Sequence, residues 1–511
     1  MAFDDEGFVG LLRERAGRDP DGLYARFEGE PLSYGALDAR ASAFAAHLRQ
    51  LGIGPGERVA VMMRNSVATL AVVFGLAKAG VAWVPVNAQQ RGEGLRYLLS
   101  HSGPRLVVAD AELAALVAEV RPETDAPPVL IHGEGGGLDA VLGSGAGFDE
   151  PAPAADAPFA IMYTSGTTGR PKGVIVSHRM LRLAAEGVGL VSAARPGEVF
   201  FVWEPLYHIG GAQLLPMPMI RDITLAFVDR FSATRFWAQV KAEGASHIHY
   251  LGGILQILLK QPPGPLDREH GVRIAWGGGC PPDIWPQFQK RFGIEIRECY
   301  GMTEASSITT CNDSGVVGAV GLPMPWFTVE LQDAAGRPVA PGERGEIVVR
   351  TSKPGALFPG YLDNPEATGK ALRGGALHTG DLGSFDEAGN LRFHGRMTDS
   401  VRCRGENVSA FEVEHVAAEH EAIEDCAMIG VAAEIGEQEI KLLVKRKPGA
   451  ALDAAELSHW LGQRLAAYQN PRYIAFVDEF ERTASQRIMK HRLSTSTDDS
   501  WDRAATQERR R

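Results

Sequence analysis

The chain is short of cysteine, has no basic surplus and holds no long unbroken apolar run. Each shortage removes a class of protein. Five cysteines, at 280, 299, 311, 403 and 426 of 511 residues, form no CxxC pair and no metal-ligand spacing. A disulfide-stapled scaffold and a zinc or dithiol motif are therefore excluded. Cys403 stands between Arg402 and Arg404, a setting that can lower a thiol pKa, but a lone thiol reads as incidental. Acidic residues outnumber basic ones by 63 to 52, for a formal net charge of -11. Such a surface does not suit nucleic acid or an anionic membrane as its main partner, and three terminal arginines, 509–511, are too few to reverse that.

The most apolar stretch, residues 70–86, is broken by Lys78 and Gly80, so it reads as core rather than membrane span. The opening MAFDDEGF lacks the basic-then-apolar order of a secretory signal. A reducing, cytoplasmic setting is expected. The Walker A spacing GxxxxGK[ST] is missing too.

What is present is length and alternation. A chain of 511 residues exceeds what one core supports, so more than one domain is expected. Helical spacing over 37–51 is followed by short apolar strands at 58–63, 82–86 and 106–109, which predicts a parallel sheet flanked by helices. Residues 120–156, with the run GEGGG, read as a surface connection. A second α/β region follows to about residue 300, with strands expected at 220–229, 246–250 and 272–276. Between 315 and 395, VELQD and EIVVR alternate with turn residues, predicting an antiparallel unit. Beyond it, 412–420 and 454–467 read as helices, and 426–431 and 440–445 as strands of a small α+β portion. The polar stretch from 496 to 511 reads as unstructured.

The most informative segment is IMYTSGTTGRPKGVIVSH, 161–178. An apolar strand ends at Tyr163. Hydroxyls at Thr164, Ser165, Thr167 and Thr168, glycines at Gly166 and Gly169, and cations at Arg170 and Lys172 follow. Glycine lets the backbone come close to a ligand, and hydroxyls, N–H groups and cations are what a polyphosphate needs. A bare Gly/Ser/Thr loop would read as a polar hairpin.

The whole string resembles the signature of the acyl-adenylate-forming superfamily, which includes acyl-CoA synthetases, peptide-synthetase adenylation domains and firefly luciferases. The segments YGMTE (300–304), GEIVVR (345–350), HTGDLG (378–383) and GRMTDSVRCRGENVSAFEVE (395–414) resemble later family motifs in the expected order. The last is most similar to crotonobetaine/carnitine-CoA ligases. The resemblance implies an α/β fold: a large N-terminal domain (1–395) of two flanked α/β sheets plus an antiparallel β unit, a hinge (396–399) pivoting at Thr398, and a small mobile α+β C-terminal domain (400–495). It implies an ATP-dependent acid–CoA ligase using ATP, Mg2+ and coenzyme A, and a homodimer would be in keeping.

It also implies site residues. Thr164, Ser165, Gly166, Thr167, Thr168 and Lys172 would hold the β- and γ-phosphates. Thr303 would contact the α-phosphate, and Glu304 would bind Mg2+, a cation that prefers hard oxygen ligands. Tyr300 with the glycines Gly277, Gly278 and Gly279 would sandwich adenine. Asp381 would bind the ribose diol, with Arg396 as a second contact. His208, in PLYHIGG, would lie by the acid tunnel, with Gly210, Gly211, Gly252 and Gly253 shaping an acyl pocket that Trp203 and Trp276 limit. Arg402, Arg404 and Gly405 would serve coenzyme A.

Two positions depart from the family pattern. The pivot, usually Asp or Lys, is Thr398. The C-terminal Lys that bridges substrate carboxylate and nucleotide is replaced: ERTASQRIMKHRL (481–493) puts Gln486 at the usual Gly and Arg487 at the Lys. An Arg fork is not equivalent to an ammonium at a tight site. Arg487 can serve in its place, or Lys490 can reach in. Otherwise the enzyme performs only thioesterification of an acyl-adenylate supplied by a partner. Carrier-protein loading, a noncatalytic nucleotide-binding module and a luciferase-like oxygenase are the remaining alternatives.

Overall fold

The computed structural model describes residues 7–120, 126–164, 171–251, 253–397, 400–403, 406–433, 438–465, 467–482 and 488–508. The chain divides into two compact units: residues 1–329 with 349–377, and residues 330–348 with 378–511.

The first unit holds two sheets. The first has the order Val129–His132, Leu106–Asp110, Arg58–Met62, Ala82–Pro85, Pro158–Thr164, Lys172–Ser177, with valine- and alanine-rich central strands buried on both faces. Its first five strands run parallel, and the last returns antiparallel from the fifth. The second sheet has nine strands. Its centre is parallel, with neighbours Glu295–Tyr300, Ile274–Gly278, His247–Leu251, Val199–Val202, Thr224–Phe227 and Leu23–Phe27. Short antiparallel strands cap both edges.

The interrupted apolar stretch becomes a core helix, Val67–Ala79, capped by Ser66, whose hydroxyl accepts from Thr69 N, and ended by Gly80 at φ 66°. Lys78, within it, is 2% exposed. Its ammonium is satisfied by Asp38 (2.6 Å) and Ser42 (2.7 Å), as a buried charge must be. No helix among the described residues is long and apolar enough to cross a membrane.

The second unit contains the antiparallel pairing of residues 381–385 with Leu391–Arg396 and a small α+β layer. There Ile423–Ala432 and Gln438–Arg446 pair antiparallel, and Tyr473–Phe476 adds in parallel. Helices Ala410–Ala418 and Ala454–Gly462 contribute Val413, Ala417, Leu457 and Leu461 to the core of this layer. Cys403 is buried in the same core, which suits an inert thiol.

Three expectations are corrected. The connection at 120–156 carries a strand, Val129–His132, that joins the first sheet, and a helix, Leu138–Leu142. Residues 220–229 are not one strand. Helix Met217–Arg221 ends at Asp222 with φ 57°, and only Thr224–Phe227 is extended. The polar tail is structured as far as described: Trp501–Asp502 pairs with Tyr473–Phe476, and Arg503–Glu508 is helical. Lys441, wholly buried, anchors this tail through the carbonyls of Ser494 and Ser496 and the carboxylate of Asp499.

Candidate active site

In the first unit, the two ends of the phosphate segment lie on the antiparallel strands Pro158–Thr164 and Lys172–Ser177. Thr164 and Lys172 are register partners across these two strands. Ser165, Gly166, Thr167, Thr168, Gly169 and Arg170, between them, lie outside the described residues. Lys172 places its ammonium 4.6 Å from the ring centroid of Tyr361. That ring is fixed by backbone pairing: Leu362 N donates to Gly173 O at 2.8 Å, and Tyr361 bridges Val174. The Tyr361 hydroxyl donates to Glu304 Oε1 at 2.8 Å, and Phe358 N donates to the Glu304 carbonyl. One tyrosine thus joins the expected phosphate cation to the expected metal carboxylate.

Thr303 and Glu304 sit on a short 3-10 turn, Thr303–Ala305, two residues beyond strand Glu295–Tyr300. Ser306 and Ser307 close it at φ 50° and 68°. The strained turn is held from two sides, since Ser306 Oγ donates to Ala356 O at 2.6 Å and Ser307 Oγ donates to Gln213 Oε1 at 2.7 Å. Gln213 in turn donates to Gly210 O. The PLYHIGG segment is therefore tied to YGMTE. His208 is the N-cap of the four-residue helix Ile209–Ala212 and packs against Tyr207, ring centroids 4.8 Å apart.

The expected adenine loop lies at the carboxyl ends of adjacent parallel strands, where ligands bind in open α/β sheets. Gly277 pairs with Glu298 and with Tyr250, and a Cβ on Gly277 would fall 1.9 Å from Tyr250 O. Gly278 follows in the strand, and Gly279 turns away at φ 90°. Glu298 organises this loop. Its carboxylate accepts from Gly279 N, from Cys280 N at 3.1 Å and from the Tyr250 hydroxyl. Complete burial pushes its carboxyl up to about 7, against the lowering effect of those donors.

In the second unit, Asp381 and Arg396 are register partners, with Arg396 Nε 3.5 Å from Asp381 Oδ1. Asp381 N donates to Thr379 Oγ1, which donates to Ile347 O. Gly380, at φ 70°, gives its N–H to Glu346, whose other carboxylate oxygen meets His378. The HTGD turn is thereby fixed. Arg402 lies in strand Ser400–Cys403, paired with Glu406–Ser409, and its side chain is outside the described residues, as are Thr398, Arg404, Gly405, Gln486 and Arg487. Lys490 is ion-paired with Glu414 at 2.7 Å.

Sequence reasoning missed Tyr361, Glu298 and a buried pair, Glu204 and His249. Tyr361 lies in PGYLDNP, and Glu298 in the strand Glu295–Tyr300, which is not among the strands expected from the sequence. Neither carries a phosphate signature. Three clustered acidic or histidine ligands, the mark of a protein-built metal cage, do not occur among the described residues. A single carboxylate with one oxygen engaged by Tyr361 nevertheless suits Mg2+, which binds through one or two carboxylates and substrate phosphates.

Comparisons with known proteins bear on this geometry. The family model described as "AMP-binding enzyme" matches residues 12–362, and that described as "AMP-binding enzyme C-terminal domain" matches 412–487. A crotonobetaine/carnitine–CoA ligase of Salmonella heidelberg (strain SL476) is 31% identical over 481 residues, covering 90% of this chain and 92% of the relative. ATP-bound MatB from Rhodopseudomonas palustris superposes with a TM-score of 0.85 at 28% identity, over 94% of this chain and 97% of that one. A benzoate CoA ligase from Burkholderia xenovorans LB400 gives 0.85 at 26% identity, over 96% and 99%.

Proposed function

This chain belongs to the AMP-binding enzyme family as an ATP-dependent, AMP-forming acyl-CoA ligase, and we propose that it performs both halves of the reaction on its own acid substrate. The first half joins a carboxylate to the α-phosphate of ATP and releases diphosphate. The second transfers the acyl group to the thiol of coenzyme A and releases AMP. The observation that carries this reading is the convergence of Lys172 and Glu304 on Tyr361, which gathers a phosphate cation and a metal carboxylate at one locus.

The roles follow from what each group can do. Thr164 to Thr168 and Lys172 hold the β- and γ-phosphates. Thr303 donates to the α-phosphate as charge grows there. Glu304 holds Mg2+, which, when bound, neutralises triphosphate charge. Tyr300, Gly278 and Gly279 clasp adenine on the loop that Glu298 fixes. Asp381 offers two acceptor oxygens to a vicinal diol, with Arg396 beside it. His208 stands at the acid entrance. Arg487 supplies the cation between acid and nucleotide. For thioester formation the small C-terminal domain turns about Thr398, bringing Arg402 and Gly405 to coenzyme A.

Crotonobetaine, carnitine and benzoate appear in the names of relatives, so the acid panel for a test includes betaines and aromatic acids. The test is acid-dependent exchange of labelled pyrophosphate into ATP, with the native protein beside Arg487→Lys. Robust exchange by the native protein is expected. Silence from the native protein with exchange restored by Arg487→Lys would show an enzyme that accepts a ready-made adenylate instead.

A further inference from the structure

Two buried glutamates of this chain, Glu186 and Glu298, have both carboxylate oxygens engaged. Glu186 meets Arg182 with one oxygen and Arg221 with the other. Glu298 accepts three donors over its two oxygens. Glu204 differs. It is 2% exposed, and its Oε1 is hydrogen-bonded to His249 Nδ1. Its Oε2 is buried without a hydrogen-bond partner among the described residues. An oxygen in that state is costly unless something reaches it.

Strands Val199–Val202, His247–Leu251 and Ile274–Gly278 are neighbours in the parallel sheet. Glu204 follows the carboxyl end of the first, and His249 and Trp276 are register partners at the middle of the other two, two residues short of their carboxyl ends. Ligands of such sheets bind at this edge, and the adenine-loop glycines continue the same strand as Trp276. The pair is fixed against drift. Trp203 Nε1 donates to His249 O at 2.9 Å, the His249 and Trp276 ring centroids are 4.0 Å apart, and Asn65 Nδ2 donates to Glu204 O at 2.8 Å. Gly210, of PLYHIGG, covers it: a Cβ there would stand 3.5 Å from Glu204 Oε1 and 3.7 Å from His249 Cε1. Trp276 Nε1 likewise has no partner among the described residues.

We propose that Glu204, held by His249, is a specificity-determining residue of the acid pocket, and that the substrate is a carboxylic acid carrying a second polar group that donates a hydrogen bond, O–H or N–H, to Glu204 Oε2. This rests on the ligase reading. A pocket built to receive a donor discriminates against the analogue that lacks it far more strongly than an apolar pocket discriminates one methylene. Unsubstituted acids of the same skeleton are therefore poor substrates.

Non-hydrolysable acyl-sulfamoyl adenosines, titrated calorimetrically into the full-length protein, test this. Two matched series serve, one of four-carbon acyl chains and one of benzoyl groups, each with an unsubstituted, a hydroxyl and an amino member. In at least one series the donor-bearing member should bind roughly tenfold or more tighter than its unsubstituted partner, and the better of hydroxyl and amine identifies the source of the donor. Glu204→Leu should abolish or reverse that preference, and Glu204→Gln, which keeps the shape, should reduce it. AMP affinity, read in each variant, reports whether the nucleotide site is intact. Equal affinity for all members in the native protein, or a preference that survives Glu204→Leu, overturns the inference alone. Binding of AMP with no binding of any acyl analogue overturns the ligase reading together with it.

Discussion

The Tyr361 hydroxyl donates to Glu304 Oε1 at 2.8 Å while the face of the same ring lies under the Lys172 ammonium, 4.6 Å away. Lys172 and Glu304 are far apart in sequence and on different elements. Tyr361 sets their separation without pairing them directly. A direct Lys–Glu ion pair would neutralise both groups and leave less charge for a triphosphate and its metal. Interposing a ring and a hydroxyl keeps the cation and the carboxylate poised.

Two substitutions separate those contacts. Tyr361→Phe keeps the ring under Lys172 and removes the hydroxyl from Glu304. A hydrogen bond to a charged group contributes about 1.5–3 kcal/mol, so pyrophosphate exchange should fall by about 10- to 100-fold and need more Mg2+ for half-maximal rate. Tyr361→Leu removes the ring as well, and the KM for ATP should rise further. An unchanged Mg2+ dependence in the Phe variant would rule out the role given to the hydroxyl.

Much of the fold was legible because apolar periodicity reports burial. The helix Tyr34–Gln50 and the strands Arg58–Met62, Ala82–Pro85, His247–Leu251 and Ile274–Gly278 begin and end within three residues of where the pattern put them. What escaped notice has physical causes. Val129–His132 is a half-buried edge strand amid Gly and Pro. The tail is polar, and its order comes from Lys441, far away in sequence. In the site, residues that make up a ligand-facing motif announced themselves by type and spacing. Tyr361 and Glu298 brace such motifs from neighbouring strands and loops, and Glu204 is paired with His249 of a neighbouring strand. Their partners are set by the sheet order, which local sequence does not state.

Asp381 provides a test in the second unit. If its carboxylate receives the ribose diol, Asp381→Asn should weaken AMP by about 10-fold or more, since a neutral amide replaces one of two anionic acceptors. The native protein should lose a similar factor with 2′-deoxy-AMP. The variant should then lose little more with that ligand, because the two changes remove one interaction. Fully additive losses, measured by calorimetry, would place Asp381 away from the diol.

Gly405→Val should split the two half-reactions. A side chain at the expected pantetheine channel blocks a thin thiol arm without touching the nucleotide. Pyrophosphate exchange is expected to persist while acyl-CoA formation falls by about 10²-fold or more, as a misplacement near 1 Å already costs that much. Equal losses in both assays would place Gly405 outside the channel.

Glu298 makes a prediction about pH. Burial raises its carboxyl from the ordinary 4.5 to about 7, so the folded chain keeps a proton there that the unfolded chain releases. Its contribution to stability is fully present below about pH 4.5 and is lost as pH rises toward 7, by up to about 3 kcal/mol for a shift of this size. Buried His178 and His247, both pulled down to about 4, slope the other way, since their contribution is lost as pH falls from about 6.5 toward 4. The difference between native protein and Glu298→Gln cancels those histidines. Denaturant unfolding at pH 5 and pH 7 should therefore give the native protein a smaller gain, or a larger loss, on going to pH 7 than the variant. Because Glu298 holds Gly279 and Cys280 by their N–H groups, the anion formed above pH 7 should grip that loop more firmly. AMP affinity should accordingly rise with pH through about 7 in the native protein and stay flat in Glu298→Gln. A parallel rise in both proteins would remove Glu298 from control of the nucleotide loop.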